Sequence, residues 1–470
     1  MISHNHPYFT HIWRILLLLA AVCCLLPILS PHTAKPMQAE AAVSLPDAAY
    51  QVRVGIAVPA LGSGLKTADL RSGGGFTVGV STGNGRSFEA LFTLNNTALS
   101  VQQNGEGSLS LLDKESGQIL YTHTSPLPLA LKGAGGHPIT LHRDGKDRVY
   151  PGFLELLPEG SALRVVNVVD RETYVKCVMS TEIGGNASRE TRRAFSVLIR
   201  TVPMTPKHTS NGCDVCGTNC CQVYLGNYLR DAESDDIVDS TKGEYITYEG
   251  IPIQCLYHGG NGGASCSSVA AWGGDEVPYL KSVSLAEDED NASEIWQYVF
   301  TKEELFDFLS SRDAFQGIED GVASVEITET DPYGSDYVTL LSVTDNNDNL
   351  FLVETSEKVR KALRFDSANF KVSYTMDANV VGEDGTVSEQ TVTGYIDANG
   401  EYQAFDSFTE YPLAGTEAAV GADRITFDGV GSGHGVGFSG VGAEQLVAEG
   451  YSYRYLIEFY FEGTKISKLP

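Results

Sequence analysis

Four cysteines lie within nine residues, from Cys213 to Cys221, and this cluster constrains the fold more than any other feature of the sequence. Thiolates at this density suit a tetrahedral zinc site, and His208 offers an imidazole close by. The alternative is one or two disulfides, for example between Cys216 and the distant Cys255, because an oxidising compartment favours them. The segment is therefore predicted to be cross-linked, either by a metal ion or by disulfides.

The N-terminal segment has the form of an export signal. Arg14 precedes an apolar run from Ile15 to Leu29, which is shorter than the roughly twenty residues that span a bilayer. Ala39-Glu40-Ala41 has the small-x-small form of a cleavage site. We therefore expect residues 1–42 to be a signal peptide or an uncleaved membrane anchor. The rest of the chain is expected to lie outside the cytoplasmic membrane.

Composition and charge narrow the classes of partner. The chain has 470 residues, of which 42% are hydrophobic, so a sizeable core and two or three domain-sized units are expected. The formal net charge of −27 repels nucleic-acid phosphate and anionic lipid. We therefore expect no nucleic acid as a partner.

The order of strand-like and helix-like segments predicts a strand-rich α+β fold. Tyr50 to Ile56 alternates with a period of two. Between Ser188 and Val202, the apolar residues recur with the spacing of one helix face, and Ser188 is a suitable N-cap. Further strands are predicted over 161–169, 244–248, 253–258 and 451–461, and further helices over 302–311 and 441–449.

One candidate for acid–base chemistry is Glu182, which lies just before the helix predicted at 188–202. Arg193 and Arg200 are seven residues apart and share one side of that helix. A carboxyl beside cations suits acid–base work on a glycosidic bond. The alternative, which the spacing alone favours, is an ordinary acid beside a solvated basic helix face.

Glycine occupies every second position from Gly429 to Gly437. The pattern predicts an extended segment with one bare face, which permits close approach of a ligand or of another backbone, and His434 lies on the opposite face. Tyr257 and His258 precede a second Gly-rich segment. Here too, the glycines permit close approach either of a ligand or of another backbone. The spacing is not that of a dinucleotide-binding fingerprint.

Together these segments resemble the stage II sporulation protein D family over about residues 50 to 464. The resemblance is carried by Tyr150 to Glu155, Leu163 to Asn167, Tyr174 to Glu182, Ala194 to Thr201, Cys216, Cys221 to Tyr224, and Gly431 to Ala443. Active members of the family are lytic transglycosylases that act on glycan strands without stem peptides. The resemblance implies a discontinuous catalytic core at 50–285 and 421–470, with an inserted α/β substructure at 286–420.

The resemblance also implies roles for single residues. Glu182 matches the catalytic acid, Arg200 matches an active-site cation, and Arg193 stands where a lysine is usual. The predicted substrate-binding residues are Tyr257, His258, His434 and Gly440, the last of which replaces a usual glutamine. The predicted ligands of one structural zinc ion are His208, Cys216, Cys220 and Cys221, with Cys213 as an alternative ligand.

The function implied by the resemblance is lytic cleavage of peptidoglycan. The bond is the β-1,4 linkage between N-acetylmuramic acid and N-acetylglucosamine, and the product carries a 1,6-anhydro-muramyl end. The expected partners are glycan strands, together with other cell-wall hydrolases or sporulation membrane proteins. The alternatives are a non-catalytic glycan-binding scaffold and an accessory protein that modulates a cell-wall amidase.

Overall fold

A computed structural model of the chain describes residues 51–104, 107–285, 295–381, 386–396, 401–412 and 419–469. The predicted export segment lies outside the described residues. Within those residues, no helix is both long enough and apolar enough to cross a membrane. Strand, at 41%, exceeds helix, at 23%, which confirms the strand-rich α+β fold that the sequence predicts.

Two largely antiparallel sheets form the N-terminal part of the fold. Their strands are β1 (Gln51–Ala57), β2 (Thr67–Arg71), β3 (Phe76–Thr82), β4 (Ser87–Leu94), β5 (Ala98–Gln103), β6 (Leu109–Asp113), β7 (Ile119–His123), β8 (Leu129–Gly133), β9 (Ile139–Arg143), β10 (Lys146–Tyr150), β11 (Phe153–Glu159), β12 (Ala162–Asp170) and β13 (Val215–Cys216). The strand orders are β13-β1-β12-β11-β8-β3-β4 and β10-β9-β2-β5-β6-β7. Apolar residues of both sheets, such as Val54 and Leu141, are buried in a shared core, as alternating patterns predict.

Helices follow the last long strand of this part. They are α1 (Arg171–Glu182), α2 (Arg189–Thr201), α3 (Ala232–Ser240) and α4 (Ser268–Trp272). Helix α2 confirms the predicted helix, and the Ser188 hydroxyl accepts the Thr191 N–H at 3.3 Å as its N-cap. Helix α1 was not predicted, because its buried residues spread over a wide face and leave no narrow apolar stripe.

The region from residue 295 to 430 combines strands and helices. Three short strands precede it in the chain: β14 (Glu244–Tyr248), β15 (Ile251–Pro252) and β16 (Tyr257–His258). The elements of the region itself are β17 (Ile295–Thr301), α5 (Lys302–Ser310), β18 (Val322–Thr330), β19 (Val338–Asp345), β20 (Leu350–Glu354), α6 (Ser356–Leu363), β21 (Phe370–Val381), β22 (Val387–Val392), β23 (Gly394–Ile396), β24 (Tyr402–Ala404), β25 (Tyr411–Pro412), β26 (Ala419–Val420) and β27 (Arg424–Val430). The sheets are β17-β27-β21-β22, β18-β19-β20, β23-β24 and β25-β26. Helix α5 and strand β14 confirm the predicted elements, whereas the predicted boundaries of an inserted substructure stay a prediction.

The chain then forms β28 (Phe438–Ser439), α7 (Gly440–Ala448), α8 (Tyr453–Tyr460) and β29 (Lys465–Lys468). Helix α7 confirms the helix predicted there, but the strand predicted over 451–461 is wrong. Its aromatic residues favour strands locally, yet Tyr453, Leu456, Ile457 and Tyr460 are buried at the spacing of one helix face. Strand β29 pairs with β14, and β28 pairs in parallel with β16.

A buried ion pair ties the N-terminal sheet to the loop that carries the cysteines. The Arg53 guanidinium makes a bidentate pair with Glu155, at 2.8 and 2.9 Å, and Glu155 is 1% exposed. The same guanidinium donates to the carbonyl oxygens of Gly85 and Gly212, at 2.6 and 2.7 Å. One side chain thereby joins three separate segments of the chain.

Replacing Glu155 with glutamine is expected to lower the free energy of unfolding by about 3–5 kcal/mol, because it leaves the charge of Arg53 buried without its counter-charge. The measurement is urea denaturation of wild type and variant. Asp236→Asn is the control, because its ion pair with Arg189 is exposed on both sides and its loss is expected to change little. Equal stability of Glu155→Gln and wild type would contradict this assignment.

Candidate active site and metal centre

Glu182 is the last residue of α1, and two groups hold its carboxyl. The backbone N–H of Val223 donates to Oε1, and the Tyr257 hydroxyl also donates to the carboxyl. Burial raises the pKa of Glu182, and these two hydrogen bonds offset only part of that rise. A carboxyl with a raised pKa stays protonated to higher pH, as a general acid requires.

A chain of polar side chains fixes the hydroxyl of Tyr257. The Tyr174 hydroxyl donates to Oε1 of Gln222 at 2.5 Å, and Nε2 of Gln222 donates to the Tyr257 oxygen at 3.2 Å. Gln222 is 1% exposed, so its amide has these partners in place of bulk water. Because the Tyr257 oxygen accepts from Gln222, its own hydrogen is available to Glu182. We name Tyr174, Gln222 and Tyr257 the tyrosine–glutamine chain.

His208, Cys216, Cys220 and Cys221 form a group that could hold a metal ion, since their ligand atoms lie within 4.8 Å of one another. The Cys220 sulfur is 3.5 Å from Nε2 of His208. The Cys221 thiol donates to the Cys216 sulfur and lowers the pKa of Cys216, which favours a thiolate. With Zn–S bonds of about 2.3 Å, tetrahedral donors stand roughly 3.4–3.8 Å apart, so small side-chain movements would close this group around zinc.

Cys213, predicted as an alternative ligand, lies outside this group. Its side chain is buried in a separate small apolar cluster, and burial raises the pKa of its thiol to about 11. The neighbouring Asp214 fixes the chain, because its carboxylate accepts from the backbone N–H of Arg53 at 2.9 Å and from the Arg86 guanidinium at 2.8 Å. In this structure Cys213 is not part of the group that could hold a metal, and its role as an alternative ligand stays a prediction.

The seven cysteines in the described part of the chain are all free thiols. Cys255, the partner considered for Cys216, is buried in the main hydrophobic core, and burial raises its pKa well above the ordinary value. Cys216 instead lies with the three other ligands. The disulfide alternative is not formed in this structure, and the donor set fits a structural metal.

The segment that carries all four of these candidate ligands also holds the acid. We name residues 208–223 the cysteine loop. Val223 follows Cys221 by two residues, and its carbonyl oxygen accepts the Thr181 hydroxyl at 2.5 Å while its N–H donates to Glu182. Both polar groups of one loop residue are thereby bonded to the end of α1. The position of the cysteine loop therefore sets the position of the Glu182 carboxyl.

The structure does not place Arg200 beside Glu182. Arg200 is fully buried, and its guanidinium forms a bidentate pair with Glu172 on α1, at 2.9 and 2.8 Å. It also donates to the carbonyl oxygen of Glu244 at 3.0 Å. These contacts tie α2 to α1 and β14, so the expected proximity to the acid is replaced by a structural role in positioning α1.

Arg193 likewise makes its contacts away from the acid. It pairs with Glu190 at 2.9 Å and lies 4.0 Å above the ring of Tyr453 in a cation–π contact. Glu190 also accepts the Tyr453 N–H at 2.8 Å, so these residues join α2 to α8. In the described residues, no hydrogen bond or ion pair joins Arg193 to Glu182, and its predicted catalytic role stays a prediction.

The predicted substrate-binding residues fall into two groups. Tyr257 reaches the acid, whereas His258, the next residue of β16, packs its ring 5.8 Å from that of His434. Gly440 begins α7, and a Cβ there would lie 3.2 Å from the Gly259 carbonyl oxygen. That close approach leaves little room for a larger side chain at Gly440. Substrate contact by these residues stays a prediction.

The sequence predicted that the Gly-rich stretch around His434 is extended, but in the structure it is not. Gly431, Gly433, Gly435 and Gly437 have φ angles from +75° to +96°. This left-handed region suits glycine and turns the chain repeatedly. A Cβ on Gly435 would lie 2.3 Å from the Tyr337 ring, so close packing also requires glycine there. The prediction of an extended segment was wrong, because the alternating glycines adopt left-handed φ angles and form turns here.

Sequence reasoning identified Glu182 and Tyr257 but missed the positioning roles of Tyr174 and Gln222. Gln222 follows Cys221 directly, and this adjacency is the one local signal that could have indicated a buried role. Its partners lie 48 and 35 residues away in the chain. Such contacts become visible only once α1, β16 and the cysteine loop are packed together.

Comparison with known proteins locates the most characteristic segment. The family described as stage II sporulation protein matches residues 159–248, which include Glu182, α2 and the cysteine loop. The "Amidase enhancer" of Bacillus subtilis (strain 168) is 26% identical over 305 residues, covering 62% of this chain and 40% of that protein. An uncharacterized protein of Brachyspira hyodysenteriae is 31% identical over 137 residues, covering 28% of this chain and 37% of that protein. The chain thus spans about two fifths of the length of each of these relatives.

Proposed function

Because this chain is a member of the stage II sporulation protein D family, whose proteins are related to the cell wall, we propose that it is an exported peptidoglycan lytic transglycosylase. The substrate would be glycan strands without stem peptides. The observation that carries the proposal is the partly buried Glu182 carboxyl, held by Val223 and Tyr257, whose pKa burial raises. That arrangement suits proton donation to a glycosidic oxygen.

The reaction needs one carboxyl in two roles. Glu182, protonated, donates its proton to the oxygen that links C1 of N-acetylmuramic acid to N-acetylglucosamine, and the C1–O bond breaks. The C6 hydroxyl of the same muramic acid then forms a bond to C1 and gives its proton to the Glu182 carboxylate. The products are a 1,6-anhydro-muramyl end and a free N-acetylglucosamine hydroxyl, and the acid is regenerated.

Zinc held by His208, Cys216, Cys220 and Cys221 would supply structural cross-linking, because four protein ligands close a tetrahedral shell. The protein's own backbone and side-chain groups would then position the Glu182 carboxyl. The cysteine loop presents the Val223 N–H to Glu182. The tyrosine–glutamine chain directs the Tyr257 hydroxyl to the same carboxyl.

The proposal is tested by incubating the purified protein with peptide-free glycan strands and analysing the products by mass spectrometry. Anhydro-muramyl ends are expected. Strands of unchanged length, with no anhydro ends, would reject catalysis.

A second candidate is an accessory protein of a cell-wall amidase, which the name of the Bacillus subtilis relative favours. In that case a cell-wall amidase should release more stem peptide from intact peptidoglycan when this protein is added. The protein alone should release neither peptides nor anhydro ends. Measuring both products in one incubation separates the two candidates.

Tyr257→Phe is expected to shift the pH dependence of cleavage. The variant removes a hydrogen bond that lowers the pKa of Glu182, so that pKa should rise further. Since the acid must be protonated, kcat/KM falls as pH rises through its pKa, and the alkaline limb of the profile should move to higher pH. The measurement is kcat/KM on glycan strands across the pH range.

The matched control is Tyr298→Phe, because the Tyr298 hydroxyl bonds Asp366, at 3.3 Å, and not the acid. Its pH profile is expected to coincide with that of wild type. An alkaline limb of Tyr257→Phe that stays in place or moves to lower pH would show that Tyr257 does not act on Glu182.

A further inference from the structure

Two consecutive hydroxyls in the last turn of α1 bond to the segment that follows the cysteines, residues 223–228. The Thr181 hydroxyl donates to the Val223 carbonyl oxygen at 2.5 Å. The Ser180 hydroxyl donates to the Tyr228 carbonyl oxygen at 3.2 Å. Both ends of this segment are thereby bonded to one turn of the helix that carries the acid. We name Ser180 and Thr181 the hydroxyl clamp.

The Thr181 hydroxyl has a second acceptor within reach, the Val178 carbonyl oxygen of its own helix, at 2.9 Å. A hydroxyl carries a single hydrogen, so the two acceptors share it. The Val223 oxygen is the nearer of the two. Thr181 therefore joins α1 to Val223 and does more than bond within its own helix, as many helical threonines do.

The two bonds to Val223 fix the peptide units on both sides of its Cα. The carbonyl group of Val223 belongs to the following peptide unit, which Thr181 holds, and its N–H belongs to the preceding unit. Each unit is planar, so holding both restricts the two backbone dihedrals of Val223. Since Thr181 and Glu182 are consecutive, one helix end carries both the acid and the group that orients its hydrogen-bond donor.

We infer that Thr181 is a positioning residue for the acid, because its hydroxyl holds Val223 with the Val223 N–H directed at the Glu182 carboxyl. The inference rests on the proposed function, since it assigns a residue that acts on the same acid. Glu182 becomes a carboxylate when it gives its proton to the glycosidic oxygen. An oriented N–H stabilises that developing charge, and hydrogen bonds to charged groups are the stronger ones.

The surroundings of Glu182 make the effect of Thr181 measurable. Burial raises the pKa of Glu182, whereas the Val223 N–H and the Tyr257 hydroxyl lower it. In the described part of the chain, no charged side chain is among the groups that shift this pKa. Burial also raises the pKa of the Tyr257 hydroxyl well above its ordinary value, so that group stays neutral. Loosening Val223 should therefore raise the pKa of Glu182 further.

The test is Thr181→Val in the full-length protein, because valine keeps the branched shape and removes the hydroxyl. The pKa of Glu182 is measured by NMR titration of carboxyl-labelled glutamate, with the signal assigned by its loss in Glu182→Gln. The pKa is expected to rise. On peptide-free glycan strands, the alkaline limb of the pH profile should then move to higher pH. On its acidic plateau kcat should fall about tenfold with little change in KM, because the developing carboxylate is less well stabilised.

Two variants control for a merely structural effect. Thr181→Ser keeps the hydroxyl and is expected to retain the wild-type pKa of Glu182 and the wild-type kcat. Thr464→Val removes a similar bond elsewhere, because the buried Thr464 hydroxyl donates to the Phe461 carbonyl oxygen at 2.7 Å. It should leave the pKa of Glu182 unchanged. Circular dichroism checks the fold of each variant, and Thr181→Ala gives the same readout if valine disturbs folding.

Separate outcomes distinguish this role from the proposed function. If the pKa of Glu182 is the same in Thr181→Val and wild type, the positioning role is rejected, while cleavage by wild type leaves the proposed function standing. If the pKa rises but wild type forms no anhydro ends, the positioning role stands and catalysis is rejected. An equal rise in Thr181→Ser or Thr464→Val would show a general loss of packing and overturn the role of the Thr181 hydroxyl.

Discussion

Glu182→Gln is expected to reduce the formation of anhydro-muramyl ends by at least about a hundredfold, since positioned acid–base groups contribute about 10²–10⁴-fold. Glutamine keeps the shape of the side chain, and its oxygen still accepts the Val223 N–H. It has no ionisable proton to give to the glycosidic oxygen and cannot take one from the C6 hydroxyl. The loss should appear in kcat with little change in glycan binding.

The control for this substitution is Glu233→Gln. Glu233 pairs with Arg192 on α2 at 2.9 Å and is largely exposed, so the variant removes an exposed carboxylate that makes no hydrogen bond to Glu182 in the described residues. It should cleave at the wild-type rate. A wild-type rate from Glu182→Gln would remove Glu182 from the mechanism. Binding without product from wild type would instead favour the scaffold alternative.

Periodicity in the sequence predicted several elements even where the structure buries most of their surface. The apolar residues of α2 recur at the spacing of one helix face after a serine cap, and the sequence of β1 alternates, so both could be predicted, although most residues of both elements are buried. Helix α8 could not, because Tyr453 and Tyr460 have aromatic side chains typical of strands, while their burial follows a helical period. Packing against α2, where the ring of Tyr453 contacts Arg193, outweighs the local preference of these residues for a strand.

The group of side chains that could hold a metal could be predicted because its members are close in sequence. The contacts of Arg200 could not be predicted, since its partner Glu172 lies 28 residues earlier on a different helix. The sequence showed only that Arg200 shares a helix side with Arg193, and the packing of α1 on α2 decided which carboxylate it meets. The same limit applies to Tyr174 and Gln222, which are joined only in the folded chain.

Removing the metal ligands is expected to have the second large effect. Purified wild-type protein should contain about one zinc per chain, and Cys216→Ser with Cys221→Ser should contain none. Structural zinc contributes about 10–16 kcal/mol of apparent binding free energy in zinc-finger peptides, so even part of this should lower the thermal unfolding midpoint by about 10 °C or more. Cleavage should also fall, because Val223 would no longer be held against Glu182. Metal analysis and thermal unfolding measure the first two effects independently of activity.

Cys213→Ala separates the metal site from a general effect of losing a buried thiol. Cys213 is buried in its own apolar cluster, outside the ligand group. The variant should therefore keep its zinc and its cleavage activity, with only the modest loss of stability that a smaller side chain causes. If wild type instead contains no metal, and mass spectrometry finds Cys216, Cys220 or Cys221 in disulfides, the zinc assignment fails. The cysteine loop would then be held by covalent bonds, and the Val223 N–H would still reach Glu182 without a metal.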